Sequence, residues 1–399
     1  MLQFFVTCAP FHESLLQEEL RRLRIQNSKE THLGVSFSGT LSDAYRVLLW
    51  SSLGHHLLLK LKDFKANNPH ALYHECSKIK WSEHLKPEQT FRIDVLGQHA
   101  SIKHPHYLAQ VVKDAVVDQM RALFKHRPSI QKASPDLVIT LKVKQEDCQL
   151  YLDLSGESLH LRAYRAQGGT APLKETLAAA LLLRAGWLKR LQAPDPMLLD
   201  PLCGSGTIII EAAMMAFDIA PGLQRNYFGC LGWQQHDTKL WQQLLQEAKT
   251  RKIEGLKRQD VHLIGYDQNT TVLNNTLHAA KILGFAEHLT LERRDLSTLT
   301  LPETLQVQPP GLIVTNPPYG VRLMTEDQVK SLLQTLGMRL KMPGFLHWEL
   351  YLLMHQRELA RALGIRMERS YRFKNGNLDC ELLKFNLVPE RFWHADFVN

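Results

Sequence analysis

From residue 197 onward the chain alternates short apolar stretches with helical segments. That rhythm admits few architectures other than a parallel sheet wound on both faces by helices. In order come LLDPLCG, a helix beginning at Thr207, HLIGYD, a helix running through Leu283, LTLERRD, GLIVTNPPYG and HWELYLLMHQ. A short helix, RELARALG, follows, and then RMERSYRF and CELLKFNL joined by the turn KNGNLD. That pair reads as a closing hairpin that puts one antiparallel strand into the sheet. The expected fold class is α/β.

The chain ahead of this region has a different texture. Residues 2–9 and 34–39 read as strands, and Leu16, Leu20 and Leu23 between them share a helical face. LSDAYRVLLW reads as a helix behind a Thr or Ser cap, and HLLLKLKDF alternates like a third strand, so residues 1–65 form a ferredoxin-like module. Residues 66–165 repeat the mixed pattern. FRIDVLG is a strand, YLAQVVKDAVVDQMRALF a helix, and DLVITLKVKQ with CQLYLDLSG a hairpin turning at Glu146-Asp147. After Arg165 the Gly- and Pro-containing QGGTAP marks a linker, and LKETLAAALLLRAGWL opens a third domain, 166–399, as a helix. A long insertion containing Gln and Trp spans 218–260.

Composition bounds the function. With 399 residues and 44% hydrophobic content the chain can bury substantial cores. It shows no basic leader and no run near the roughly 18 apolar residues of a membrane span. The six cysteines are scattered without a C-x-x-C pair, and the 19 histidines include no H-E-x-x-H. A cytoplasmic protein with free thiols, no metal and no membrane partner is expected. The net charge is +8, and residues 1–165 carry 22 Lys and Arg against 17 Asp and Glu. Such a surplus favours an anionic partner only where it gathers on one surface. Lys103, Lys113, Lys125, Arg127 and Lys132 are the cations placed to follow phosphates.

LLDPLCGSGT is an apolar strand ending in Asp200, then a G-x-G turn, then a helix from Thr207. Ligands of open parallel sheets bind at the carboxyl ends of strands, and Gly204 and Gly206 would let the backbone approach one closely. Ile209 stands where a dinucleotide fingerprint has its third glycine, and no P-loop lysine follows. Cys203, Ser205 and Thr207 complete the loop, with Cys203 needed only as a small side chain. Asp267 and Asp295 close the next two strands. Asp200 is expected to orient the loop and the amino-acid part of a cofactor, Asp267 its ribose, and Asp295 an adenine amino group.

GLIVTNPPYG carries the chemistry. Two prolines after a buried strand stop the ladder and fix the backbone, so Asn316 and the carbonyl of Pro317 are held rigidly, with Pro318 behind them. An exocyclic amino nitrogen on a base is a poor nucleophile because its lone pair is delocalised into the ring. Acceptors on both of its hydrogens favour a tetrahedral nitrogen as it attacks a sulfonium methyl. Tyr319 offers a flat face for an extruded base. By chance the tetrapeptide would occur in a chain this long on the order of once in a thousand cases.

DPLCGSGT followed by TNPPYG resembles the amino-methyltransferase class of Rossmann-like enzymes. The chain up to about residue 385 resembles the THUMP-domain RNA methylases. ETLAAALLLRAGW, IEAAMMA, APGL, the W-x-x-H-D of the insertion and KNGNLDC carry that likeness, with HPHYLAQVVKDAVVD and LYLDLSGESLHLRAYR as THUMP-like segments. Within the family it is most similar to the guanine-N2 methyltransferase half of bifunctional bacterial 23S ribosomal RNA methyltransferases. The resemblance implies a class I methyltransferase fold with a mostly parallel seven-stranded sheet, preceded by the ferredoxin-like module and a THUMP domain. It also implies S-adenosylmethionine as donor, structured RNA as partner, a large-subunit RNA or precursor as substrate, and N2-methylguanine as product. The second methyltransferase half of those relatives is absent, so one activity is expected. Asn-Pro-Pro-Tyr also serves enzymes acting on adenine N6 or cytosine N4, in RNA or DNA, and a non-catalytic RNA-binding assembly factor would keep the same fold.

Overall fold

The computed structural model describes residues 1–164, 173–305, 310–318 and 325–393. All of QGGTAP, and Tyr319 with it, lie outside these. Contacts divide the chain into two units, one of Met1–Cys8, Leu16–Leu161 and Gly222–Glu247, the other of Ala9–Leu15, Arg162–Pro221 and Ala248–Asn399.

The first unit is built on one eight-stranded sheet. Its elements are β1 (Leu2–Thr7), α1 (Glu13–Arg22) from Leu16 onward, β2 (Ser28–Thr31), β3 (Gly34–Gly39), α2 (Leu41–Trp50) and β4 (His56–Lys65). They continue with α3 (Pro69–Ser77), β5 (Thr90–His99), α4 (Pro105–Phe124), β6 (Ser129–Ile130), β7 (Leu137–Gln145) and β8 (Asp147–Asp153). The strand order is β2-β3-β1-β4-β8-β7-β5-β6. The two modules read from the sequence therefore share a sheet, because β4 pairs antiparallel with β1 on one side and β8 on the other. The cap expected before LSDAYRVLLW is Thr40, whose side chain accepts from the Asp43 N–H in a capping box. Three elements had no sequence signal strong enough to find them, one of them the two-residue strand β6. β2 is SKET, a polar edge strand without apolar alternation, and α3 is a short helix opened by Asn68 and Pro69.

The tryptophans of the insertion are packed in this unit. Trp233 and Trp241 are buried; Trp241 meets Tyr45 edge-on at 5.2 Å and Phe228 at 5.1 Å. The Tyr45 hydroxyl accepts from the Asp237 N–H at 2.9 Å and lies 2.8 Å from Nδ1 of His236. The W-x-x-H-D segment is thus a structural clasp on α2.

The second unit holds α5 (Glu175–Arg184), α6 (Trp187–Arg190), β9 (Met197–Asp200), α7 (Thr207–Ala216) and the end of α8 (Thr238–Gly255). After these come β10 (His262–Asp267), α9 (Thr270–Leu283), β11 (Leu289–Arg293), β12 (Leu312–Thr315) and α10 (Glu326–Leu340). β13 (Glu349–Met354), β14 (Met367–Asn375) and β15 (Leu378–Asn386) close it. The sheet is seven-stranded and mostly parallel, in the order β11-β10-β9-β12-β13-β15-β14, with β15 antiparallel to both neighbours. Every residue of β9 and β12 is buried, as expected for central strands covered on both faces. The predicted 173–188 helix breaks into α5 and α6 at Gly186, whose φ of 80° ends a right-handed helix. RELARALG winds as a 3₁₀ segment, Arg357–Leu363.

Strand order runs outward from β9 through β10 to β11, then returns to β12 on the other side of β9. Helices leave the sheet in opposite directions from β9 and β12, which opens a crevice beyond their carboxyl ends.

Candidate active site

At that crevice the ends of β9, β10, β11 and β12 line one cavity of about 670 Å3, with α10 contributing Gln328, Ser331, Leu332 and Thr335. Asp200, Cys203, Gly204, Ser205, Thr207, Asp267, Asp295, Asn316 and Pro318 all line it. Gly206 and Pro317 are not among the lining residues.

β9 stops at Asp200 because Pro201 cannot continue a ladder. Asp200 Oδ1 accepts the Leu202 N–H at 3.2 Å and the Thr315 hydroxyl at 2.6 Å, so this carboxyl ties the loop to the last residue of β12. Thr315 is fully buried and was missed by sequence reading, where its only signal was a polar residue at the end of an apolar strand. Burial pushes the Asp200 carboxyl up to about 7, opposed by the Thr315 and Leu202 hydrogen bonds and reinforced by the charge of Asp267. The folded protein therefore holds this proton more tightly than the unfolded chain. The stability it contributes is full below about pH 4 and is lost as pH rises through about 7. Asp200→Asn keeps an acceptor oxygen without the charge. Its melting temperature is expected to gain on the wild type between pH 5 and pH 8; a constant difference across that range would remove Asp200 as the titrating group.

The loop continues onto β10. The Cys203 N–H donates to the Tyr266 carbonyl at 2.9 Å, and the Gly204 N–H donates to Asp267 Oδ2 at 3.0 Å. Asp267 Oδ1 accepts the Asn269 N–H at 2.8 Å, so each carboxylate oxygen holds one backbone donor and keeps room for another. Cys203 Sγ would lie 3.2 Å from a Cβ on Gly265, and burial raises its thiol well above the usual range. It is an inert small side chain.

The two loop glycines answer different demands. At Gly204, with φ +52°, an added Cβ would meet nothing within 4 Å. At Gly206, with φ +72°, it would lie 2.2 Å from Cγ2 of Thr276 on α9. Packing of the loop on α9, rather than approach to a ligand, fixes Gly206. Gly206→Ala is expected to lower stability by about 2–4 kcal/mol, combining overpacking with a left-handed backbone. Gly204→Ala carries only the backbone cost, about 1–2 kcal/mol. Equal losses in urea denaturation would refute the distinction.

Asp295 Oδ1 accepts the N–H of Ser297 at 2.8 Å and its hydroxyl at 2.5 Å, and these bonds hold the carboxyl below its ordinary value. Arg294 beside it stacks 4.4 Å over the Tyr266 ring and donates to the Thr300 carbonyl at 2.7 Å. Arg294 and the α10 residues are cavity features that no motif announced. Asn316 lines the cavity, yet its Oδ1 is buried and has no hydrogen-bond partner among the described residues. Pro317 is buried next to it. No group of three or more metal-ligating side chains occurs among the described residues, and no described helix is long and apolar enough to cross a membrane.

Comparison with known proteins places these features in a family. Residues 3–57 match the RlmL ferredoxin-like domain, residues 66–153 the THUMP domain, and residues 162–384 the RMKL-like methyltransferase domain. Ribosomal RNA large subunit methyltransferase K/L of Syntrophotalea carbinolica is 42% identical over 99% of this chain and 55% of its own length. The protein of that name from Allochromatium vinosum is 43% identical over 97% of this chain and 52% of its own. The chain thus spans about half the length of the curated relatives it matches. A crystal structure described as a possible methylase from Clostridium difficile 630 superposes with a TM-score of 0.84 at 25% identity, covering 96% of this chain and 98% of that one. The chain belongs to the RMKL-like methyltransferase family.

Proposed function

We propose that the chain transfers the methyl group of S-adenosylmethionine to the exocyclic N2 of a guanine in 23S ribosomal RNA, with residues 66–165 holding the RNA. One observation carries the reading: Asn316, which lines the cavity together with Gly204 and Asp267, carries in its Oδ1 a buried acceptor without a partner among the described residues. An orphaned buried acceptor costs about 1–3 kcal/mol, and a substrate N–H placed there removes that cost.

The residues present fit the cofactor. The cavity volume is in the range of small-molecule sites, the side of Gly204 is open, and each Asp267 oxygen has capacity for a ribose hydroxyl. When bound, S-adenosylmethionine supplies a sulfonium-activated methyl group. The chain's own work is positioning. Asn316 Oδ1 accepts one amino hydrogen, drawing the nitrogen lone pair out of conjugation. The Pro317 carbonyl, which is outside the cavity lining, and Tyr319, which is outside the described residues, receive the second hydrogen and the base-stacking role from the motif alone. Asp200 and Thr315 hold the Asn316 tip against the cofactor loop.

Ribosomal RNA as substrate is supported by the names of the long relatives and by the THUMP match, and a cytoplasmic location goes with it. Guanine rests on the resemblance of the motifs, since adenine N6 and cytosine N4 pose the same chemical problem. A mass-spectrometric nucleoside map of ribosomal RNA from cells lacking the gene tests the base. Loss of one N2-methylguanine is expected; its retention with loss of another mark would overturn the assignment.

A further inference from the structure

Five cations of the first unit were candidates for phosphate contacts, and the structure sorts them. Lys113 is paired with Asp114 at 2.7 Å. Lys103 lies ahead of α4, whose 20 residues separate it by about 30 Å from the cations beyond the helix end. Lys125, Arg127 and Lys132 gather where α4 ends and the chain turns into β6, all exposed and none with a carboxylate partner among the described residues. Residues 119–135 contain no Asp or Glu.

The same corner is apolar where a helix end should not be. The buried stripe of α4 runs through Leu108, Val112, Val116 and Met120, and its next members, Leu123 and Phe124, emerge 59% and 47% exposed. Ile130 on the edge strand β6 is 47% exposed as well. Lys125 caps the helix with φ 58°, a left-handed position that glycine fills at lower cost. A lysine there gives up local stability for a projecting charge.

An exposed aromatic ring within eight residues of three exposed cations that have no carboxylate partner among the described residues fits a polyanion with accessible bases. We propose that residues 121–132 form a contact for single-stranded RNA, with Phe124 stacking on an unpaired base and Lys125, Arg127 and Lys132 meeting phosphates. The proposal rests on the RNA-binding reading above and adds to it the place and the single-stranded form.

Fluorescence anisotropy of the full chain tests it, using a labelled single-stranded RNA of about a dozen nucleotides and the same strand annealed to its complement. Phe124→Ala is expected to weaken single-strand binding about tenfold, with the duplex affected less and the salt dependence unchanged. Lys125→Gly is expected to keep or raise the melting temperature while lowering the slope of log K against log salt by about 0.7. Wild-type affinity in both variants, as for a corner that docks a protein, overturns the assignment, and so does equal weakening of single strand and duplex. A wild-type chain that binds neither RNA at low salt overturns the RNA-binding reading itself, which separates the two failures.

Discussion

Replacing Asn316 with alanine is expected to lower the rate of methyl transfer at saturating RNA by about 10²–10³-fold, the loss typical of removing one preorganised polar group at a reacting centre. The loss belongs in kcat, because the amino hydrogens press hardest on the acceptor as the nitrogen becomes tetrahedral. Cofactor affinity should stay near wild type, since the loop hydrogen bonds from Gly204 and Asn269 to Asp267 do not involve Asn316. Asn316→Asp retains an acceptor oxygen and should keep more activity than the alanine variant. Single-turnover transfer with labelled S-adenosylmethionine reads both. An alanine variant at the wild-type rate would make Asn316 a turn residue.

The second large effect concerns stability. Arg162 Nη1 meets Glu211 Oε2 at 2.5 Å with both side chains 1% exposed, and the Tyr164 hydroxyl donates to Glu211 Oε1 at 3.0 Å. Arg162→Ala removes the guanidinium that meets the buried Glu211 carboxylate, which is expected to cost about 3–5 kcal/mol in urea denaturation. Replacing both partners, Arg162→Met with Glu211→Gln, should recover much of that loss, because the double variant no longer buries a carboxylate from which the guanidinium has been taken away. A double variant as unstable as the single one would point to packing instead. The pair anchors the segment before the 165–172 stretch to α7, the helix that begins at the cofactor loop.

Much of the site could be read from the sequence because parallel-sheet topology brings strand ends together. Asp200, Asp267, Asp295 and Asn316 each end or follow an apolar strand, and a doubly wound sheet places such ends on one edge whatever the loops do. Other features were illegible for stated physical reasons. Thr315 meets Asp200 across 115 positions, a contact that local pattern does not encode. The α10 wall comes from a helix whose amphipathic spacing looks the same against a core as against a cavity. The shared eight-stranded sheet depends on β4 pairing on both edges, and a strand's pattern reports its faces rather than its edges. Gly206 carried a correct residue type with a different cause, a threonine on α9 rather than a ligand.

A crystal structure of the chain with S-adenosylhomocysteine tests the central claim most directly. The ribose hydroxyls should lie within hydrogen-bond distance of Asp267, and the thioether sulfur should face Asn316 Oδ1 across a gap that admits one methyl group and one amino nitrogen. A ligand bound elsewhere, or one whose sulfur turns away from Asn316, would contradict the account.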